Sequence, residues 1–439
     1  MSPEAIGGLM LVALIATIFV GFPIAFTLIF LGLGFGYWGF GDTVFHLLLF
    51  QTFATMKEQT LAQVPLFVFM GLLLERAGLM ERLFLVTQKM LGGLNGSLYL
   101  SCMFVATLFG AASGIVGASV TLLGIMAAKG MDKSKYDVQM SAGIITAGGT
   151  LGILIPPSVM LVVMGPVMGI PVTDLYAGAL IPGVMLAAIY ATYALVRCYL
   201  NPSLGPALRK SERMESMGAL FVEFIKGMVP ITVLLLSSLG AIFAGVATPT
   251  EGAALGALGS LLLTVVYRKI TGPLLYNSVM KTLEVSCMIL FLVVASNFFG
   301  GVFSRLGTPD VISQALLGLE LNRYVILLII MAAIFLLAWP LEWVPIVLIF
   351  VPIVLPMVKQ LGFDITWFAI LIAVNLQTAW LSPPVALSAY FLKGVAPQWP
   401  LSDIYKGMMQ FMVLQIIGLA LVIIFPQIVL WLPGVLYTR

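Results

Sequence analysis

The sequence predicts an all-α polytopic membrane protein, arranged as an inverted-topology repeat with two re-entrant helical hairpins and two discontinuous transmembrane helices. Three observations lead there. The chain of 439 residues is 61% apolar and 9% charged, and apolar runs of bilayer-spanning length (about 20 residues) recur from end to end. Glycine and proline clusters interrupt several of those runs at depth. Landmarks of the first half return in the second at a nearly constant spacing.

The N-terminus, MSPEAIGGLM, has neither the basic region nor the small-residue cleavage site of a secretory signal, so the first run reads as a retained helix. Spans Ile6–Gly21 and Ile24–Trp38 are divided at Gly21-Phe22-Pro23. Amphipathic Thr43–Gln59 leads to a third span near Leu61–Leu74. A second amphipathic stretch, Leu79–Met90, follows the charged turn Glu75-Arg76. Both stretches are expected at the membrane interface, bracing a scaffold. Ser97–Ala128 is too long for one comfortable crossing and is broken at Gly110–Gly117 between basic flanks, so it reads as a hairpin entering and leaving on one side. The interrupted span Asp137–Gly165 follows, then Asp174–Leu200, and the polar stretch Asn201–Gly218 reads as a cytoplasmic linker.

The interruption in Asp137–Gly165 is ITAGGTLGILIPPS, Ile145 to Ser158. Pro156 and Pro157 have no N–H, and their rings clash with the preceding turn. An unpaired polar group in hydrocarbon costs several kcal/mol by order of magnitude, so broken backbone at such depth must be buried in protein or line a polar cavity. Secondary transporters bind ions and substrate at such places. A kinked packing helix is the competing reading, and this stretch taken alone leaves both open.

The second half answers the first. Pro23 is matched by Pro249 at 226 residues, Arg76-Ala77-Gly78 by Arg305-Leu306-Gly307 at 229, Pro156-Pro157 by Pro383-Pro384 at 227, and Asp174 by Asp403 at 229. The second repeat therefore spans residues 219–439 against 1–200, with a hairpin at Tyr324–Val358 and a broken helix at Asp364–Ala396. Five crossings and one hairpin per half insert the second half upside down. That count places sixteen basic residues on one side and five (Lys57, Arg305, Arg323, Lys359 and Arg439) on the other. The richer side is cytoplasmic by the positive-inside rule, and both termini fall outside.

Two half-sites result. The first joins Gly110, Ser113, Gly114 and Gly117 to Thr146, Gly149, Thr150, Gly152 and Pro156; the second joins Pro340, Glu342 and Pro345 to Gln377, Thr378, Ser382 and Pro383. Carbonyls freed at helix breaks, with Ser and Thr hydroxyls, suit Na⁺. Hydroxyl back-bonding to the preceding turn is the ordinary alternative for Ser113 and Thr150. Glu342, between Trp339 and Trp343, reads as a contribution to cation binding, as a proton-sensitive gate, or as an interfacial residue beside belt tryptophans. Glu251 starts a helix that Thr250 is expected to cap. Ser119, Thr150, Pro156, Ser158, Trp380 and Ser382 are the residues expected to face substrate. No basic residue falls inside a predicted span, so an anionic substrate would be met by backbone N–H groups, hydroxyls and bound cations.

Other classes fit poorly. His46 lies outside the spans and no aspartate pair lies within them, so neither a Ser–His nor an aspartyl enzyme can be assembled. Cys102, Cys198 and Cys287 have no metal or redox spacing. A charge of +3 gives no reason to expect nucleic acid. A channel pore would need the interruptions to be open, whereas bulky Leu, Ile and Trp close them.

The motifs GAASGIVGAS (Gly110–Ser119), AGGTLGILIPPS (Ala147–Ser158), GVATPTEGAALGA (Gly245–Ala257) and TAWLSPPVALSAYFLKG (Thr378–Gly394) resemble, along essentially the whole chain, the large DctM-like membrane subunit of tripartite ATP-independent periplasmic (TRAP) transporters. The resemblance implies an ion-transporter-like elevator fold in the bacterial inner membrane and Na⁺-coupled uptake of an organic acid. It also implies a separate small four-helix membrane subunit and a soluble periplasmic binding protein that delivers substrate. It implies about two Na⁺ sites. One carries onto Ser113, Gly114, Thr146, Gly149 and Gly152, and the other onto the Leu341–Val344 tip, including Glu342, with Thr378 and Pro383. The chain departs from the family pattern at AWPLEWVPI, where many members have a small or acidic turn, and at Trp380-Leu381-Ser382.

Overall fold

Helices are the only regular structure among the described residues, because a backbone in hydrocarbon must satisfy its own polar groups. The structure is a computed structural model and describes residues 1–208, 217–339, 341–383 and 386–437, without the side chains of 111–113 and 217. Seven helices among these are long and apolar enough to cross a membrane, and a pair bent by 55°, Gln59–Arg76 with Leu79–Leu91, adds an eighth candidate. The chain is thus a multi-pass membrane protein.

In the first half, α1 (Pro3–Val20) and α2 (Ile24–Phe40) pack side by side. Gly21 separates them in a left-handed conformation (φ 95°) and Pro23 follows, so this is a true turn between two helices. Next come α3 (Thr43–Lys57), α4 (Gln63–Arg76) and α5 (Leu79–Leu91). The amphipathic reading of α3 agrees with its exposed Phe45, Leu49, Phe50 and Phe53. Then α6 (Ser97–Ser113) and α7 (Val116–Lys133) form a hairpin, α8 (Val138–Thr150) and α9 (Val159–Met168) the broken helix, and α10 (Val172–Leu200) closes the half.

The second half runs α11 (Gly218–Phe243), α12 (Pro249–Val266), α13 (Gly272–Arg305), α14 (Thr308–Leu317), α15 (Arg323–Leu337), α16 (Trp343–Gln360), α17 (Ile365–Leu381), α18 (Leu387–Val395), α19 (Leu401–Ile424) and α20 (Gln427–Leu436). Both α11 and α16 carry a π-helical turn, at Leu236–Gly240 and Ile346–Phe350. One expectation changes here. The cap of α12 is Thr248, not Thr250: Pro249 occupies the first helical position, so the residue before it is the one whose hydroxyl can reach back-facing N–H groups. Thr248 accepts from the Glu251 N–H while Glu251 accepts from the Thr248 N–H at 2.8 Å, a complete capping box. The Thr250 hydroxyl points elsewhere, to the Gln59 carbonyl.

Matching chemistry holds the base of each hairpin. Tyr99 and Tyr136 meet edge-to-face at 4.8 Å under α6–α7, and Tyr324 and Phe363 do the same at 5.5 Å under α15–α16. Just beyond, Asp137 caps α8 by accepting from Met140 N–H at 2.8 Å, and Asp364 caps α17 by accepting from Trp367 N–H at 2.8 Å. The start of the polar stretch 201–218 is tied down as well. Leu204 accepts from the Tyr99 hydroxyl at 2.8 Å and from Asp137 N–H at 3.0 Å, and Leu208 N–H donates to Gly92. Residues 209–216 lie outside the described residues.

The tightest crossing joins α8 to α19. A methyl group added to Gly407 would sit 1.9 Å from the Gln139 carbonyl oxygen, and one on Gly143 would strike the Phe411 ring. Small residues let the two backbones touch where lipid offers no hydrophobic drive for association. Gly407→Ala should therefore destabilise the protein by about 1–3 kcal/mol, the usual cost of overpacking. Gly394→Ala, with open space around it, should be neutral. Thermal unfolding of the detergent-solubilised chain checks this; equal midpoints for the two variants would mean that the crossing is loose.

Candidate functional site

Each broken helix ends at a proline pair, and each loses backbone donors there. Pro157 cannot supply an N–H to the Ile153 carbonyl four residues earlier, and Pro384 cannot supply one to Trp380. A serine hydroxyl replaces the missing donor in both cases. Ser158 donates to the Ile153 carbonyl at 2.5 Å, and Ser388 donates to the Trp380 carbonyl. Both serines are fully buried. The helices can thus part at depth without abandoning those two carbonyls.

The hairpin tips close on the breaks. At the first, a methyl on Gly110 would touch the Gly152 backbone at 3.2 Å, and one on Gly149 would lie 2.3 Å from Val120. Gly114 takes the left-handed conformation (φ 61°) that turns α6 into α7, with the Pro157 carbonyl and Val159 N–H beside it. At the second, the Trp339 indole N–H donates to the Ser382 hydroxyl at 2.9 Å, and the Asn375 amide donates to the Met331 carbonyl at 2.8 Å. The halves also meet each other: Gly117 leaves room for the Phe391 ring of α18.

Between these parts lies a cavity of about 480 Å³. One wall is made of both tips (Gly114 to Ala118, and Glu342 to Val344), the first break (Ile153, Val159) and the second (Trp380, Phe391). The opposite wall is α4, with Leu72 and Glu75, and α13, with Lys281, Met288 and Leu292 among others. A smaller cavity of about 200 Å³ adjoins it, sharing Glu342, Trp343 and Trp380 and adding Trp339, Leu341 and Leu376. Glu342 is solvent-exposed, with Trp343 and Trp380 half-buried beside it.

Of the residues singled out from sequence, Gly114, Glu342, Val344 and Trp380 line the large cavity, and Leu341 lines the small one. Thr146, Thr150 and Thr378 are buried, with hydroxyls donated to the Ala142, Ala147 and Asn375 carbonyls. Back-bonding is therefore present, and it leaves the oxygen lone pairs free to accept. Ser119 is buried, with its hydroxyl on the Ile115 carbonyl. Pro156, Ser158 and Ser382 are buried, and Gly149 and Gly152 pack into the hairpin away from the cavity walls. Pro383 is half-buried at the second break. The Ser113 side chain, Pro340 and Pro384 lie outside the described residues. Glu75, Lys281 and Phe391 were not foreseen. Glu75 and Lys281 read as loop charges, and only the unbroken length of α13 could have shown that Lys281 sits within a helix.

A family model for the tripartite ATP-independent periplasmic transporter, DctM component, matches residues 11–428. The chain belongs to this family. It is 30% identical to the sialic acid TRAP transporter large permease protein of Vibrio cholerae, over 95% of this chain and 96% of that one. It is also 30% identical to the isethionate TRAP transporter permease protein DctMQ of Oleidesulfovibrio alaskensis, over 78% of this chain and 53% of that longer protein. Among solved structures, the Alcanivorax borkumensis YdaH transporter aligns with a TM-score of 0.63 over 88% of both chains, at 13% identity, a likeness of fold alone. Family membership makes the chain a transport protein, not an enzyme. Among the described residues no cluster of three or more His, Cys, Asp and Glu could hold a metal ion.

The geometry predicts which positions of this DctM-family chain water reaches. In a Cys287→Ser background, which removes the one exposed native thiol, Ala118→Cys and Met288→Cys should react with a membrane-impermeant maleimide. Thr146→Cys should stay at least about tenfold slower. Equal labelling of all three would dissolve the cavity as drawn.

Proposed function

We propose that this chain is the large membrane subunit of a Na⁺-coupled importer that carries an organic acid across the bacterial inner membrane by an elevator motion. The observation that carries the proposal is the cavity whose two walls belong to different parts of the chain. Hairpin tips and breaks form one wall, and α4 with α13 forms the other. If the hairpins and broken helices slide as a body along α4 and α13, a substrate held at the tips passes from one face of the membrane to the other. Tight glycine contacts within the first hairpin and break (Gly110 with Gly152, Gly149 with Val120), and between α8 and α19 (Gly143 with Gly407), are what such a rigid body needs.

The two halves are read as an inverted-topology repeat, residues 1–200 and 219–439, joined through the cytoplasmic stretch 201–218. Supporting this, the hairpin-base aromatics and the Asp137 and Asp364 caps recur at 225 to 227 residues, and the basic residues sort sixteen to five across the bilayer. Both termini then lie in the periplasm. Na⁺ is assigned to the tip-and-break pairs: Ser113, Gly114, Thr146, Gly149 and Gly152 in the first, and Leu341, Val344, Thr378 and Pro383 in the second. In the first pair the Pro157 carbonyl lies beside Gly114, and a back-bonded Thr hydroxyl still offers its oxygen. A four-helix membrane subunit braces α1–α5, and a periplasmic binding protein delivers the acid. The names of the sialic acid and isethionate relatives both denote anions, which supports the substrate class.

Proteoliposomes test the whole reading. Uptake of acid should require an inward Na⁺ gradient, the small subunit and loaded binding protein. Transport by this chain alone would make it a stand-alone carrier, and unitary currents in a planar bilayer would make it a channel. Thr146→Val should raise the Na⁺ concentration for half-maximal uptake about tenfold or more, the loss of one interaction with a charged partner. An unchanged Na⁺ dependence would confine that hydroxyl to helix packing.

A further inference from the structure

The small cavity beside the second tip has an unusual wall. Three indole rings, Trp339, Trp343 and Trp380, surround about 200 Å³ together with the Glu342 carboxylate, and the other lining side chains are alanine and leucine. The rings are held in place: Trp339 by its N–H on Ser382 and by an edge-to-face contact with Phe335 at 5.4 Å, and Trp380 by its position in the last turn of α17. All three are half-buried, so each keeps part of its surface toward the opening.

The charge of the site points the same way. Three ionisable side chains line the two cavities: Glu75, Lys281 and Glu342. The Lys281 ammonium already faces Glu284, with Nζ–Oε1 at 2.9 Å. The walls are therefore acidic in balance, an odd setting for a simple anion. A bare Na⁺ wants several oxygen ligands, and in the small cavity the side chains offer it one carboxylate among apolar groups. A fully alkylated ammonium wants the reverse: aromatic faces for its methyl-borne charge, one carboxylate for its sign, and, having no N–H, no further acceptors.

Resting on the transport reading above, we propose that the substrate is a zwitterion, an acid group joined to an alkylated ammonium. The ammonium sits among Trp339, Trp343, Trp380 and Glu342. The acid extends into the larger cavity, toward Lys281 and the first turn of α7 at Val116 to Ala118, whose N–H groups lie at a helix start.

Binding of radiolabelled trimethylglycine to the purified full-length chain tests this, with tert-butylacetate as competitor. The two have the same shape, and only the first carries the positive charge. Trimethylglycine should bind at least tenfold more tightly. Trp343→Leu and Glu342→Gln should each bring the ratio near one, while Trp343→Phe, which keeps an aromatic face, should retain most of the preference; size-exclusion profiles confirm folding. Equal or tighter binding of tert-butylacetate, no binding of trimethylglycine, or a preference that survives both Trp343→Leu and Glu342→Gln would overturn the inference. Glu342→Gln that abolishes Na⁺ stimulation yet keeps the preference would also overturn it, assigning the carboxylate to Na⁺. If labelled succinate binds in a Na⁺-dependent way where trimethylglycine does not, only this inference fails. If neither binds and Na⁺ leaves thermal stability unchanged, the transport reading fails with it.

Discussion

Everything in this structure depends on where backbone polar groups find partners once the helix stops. Two proline pairs deny their helices N–H donors at depth, and hydrocarbon supplies no substitute. The chain answers locally with serine. Ser158 returns a donor to the Ile153 carbonyl and Ser388 to the Trp380 carbonyl, both within a turn or two of the prolines that created the deficit. The repair is partial by design, since it replaces individual donors without rebuilding the ladder. The first break therefore persists as irregular backbone, which must then be covered.

The hairpins provide that cover, and side-chain size decides how closely. At the first break glycines on both sides bring backbone to backbone, with Gly110 on Gly152 and Gly149 under Val120. At the second, the contact is a tryptophan N–H on a serine hydroxyl. Equivalent positions thus solve one covering problem with opposite chemistry. The glycine contacts close the first hairpin onto its break, whereas the second tip adjoins a small cavity walled by indole rings. That indole-walled cavity lies where the sequence departs from the family pattern.

Much of this was legible in the sequence because its causes are local. Glycine and proline mark the turn at Gly21–Pro23, the turn at Gly114 and the interruption before Val159 through their own φ preferences and missing donors, so the ends of α1, α2 and α6 to α9 fall close to where pattern reading puts them. The Thr248 cap was misplaced by two residues, because a threonine stands on each side of Pro249 and the rule that proline takes the first helical position was not applied. The tips and breaks that form one wall of the cavity carry local signals, but the opposite wall carries none. Glu75 and Lys281 are separated by some two hundred positions and meet only because α4 and α13 pack together. A single sequence carries no local signal for that pairing.

The two halves differ most informatively in α13. On the repeat proposed above, its counterpart in the first half is interrupted: α3 ends at Lys57, Glu58 caps a short turn by accepting from the Thr60 hydroxyl at 2.6 Å, and α4 starts afresh at Gln63. In the second half the same span is one helix of 34 residues. At 1.5 Å per residue that is about 51 Å, well beyond a hydrocarbon core of about 30 Å. The interruption lets α3 turn aside and lie against α2 and α13, widening the scaffold. The continuity keeps Lys281, Met288 and Leu292 on one straight rail along the cavity. In the elevator motion proposed above, a moving body needs one fixed surface that is continuous over its travel, and α13 is the element long enough to supply it.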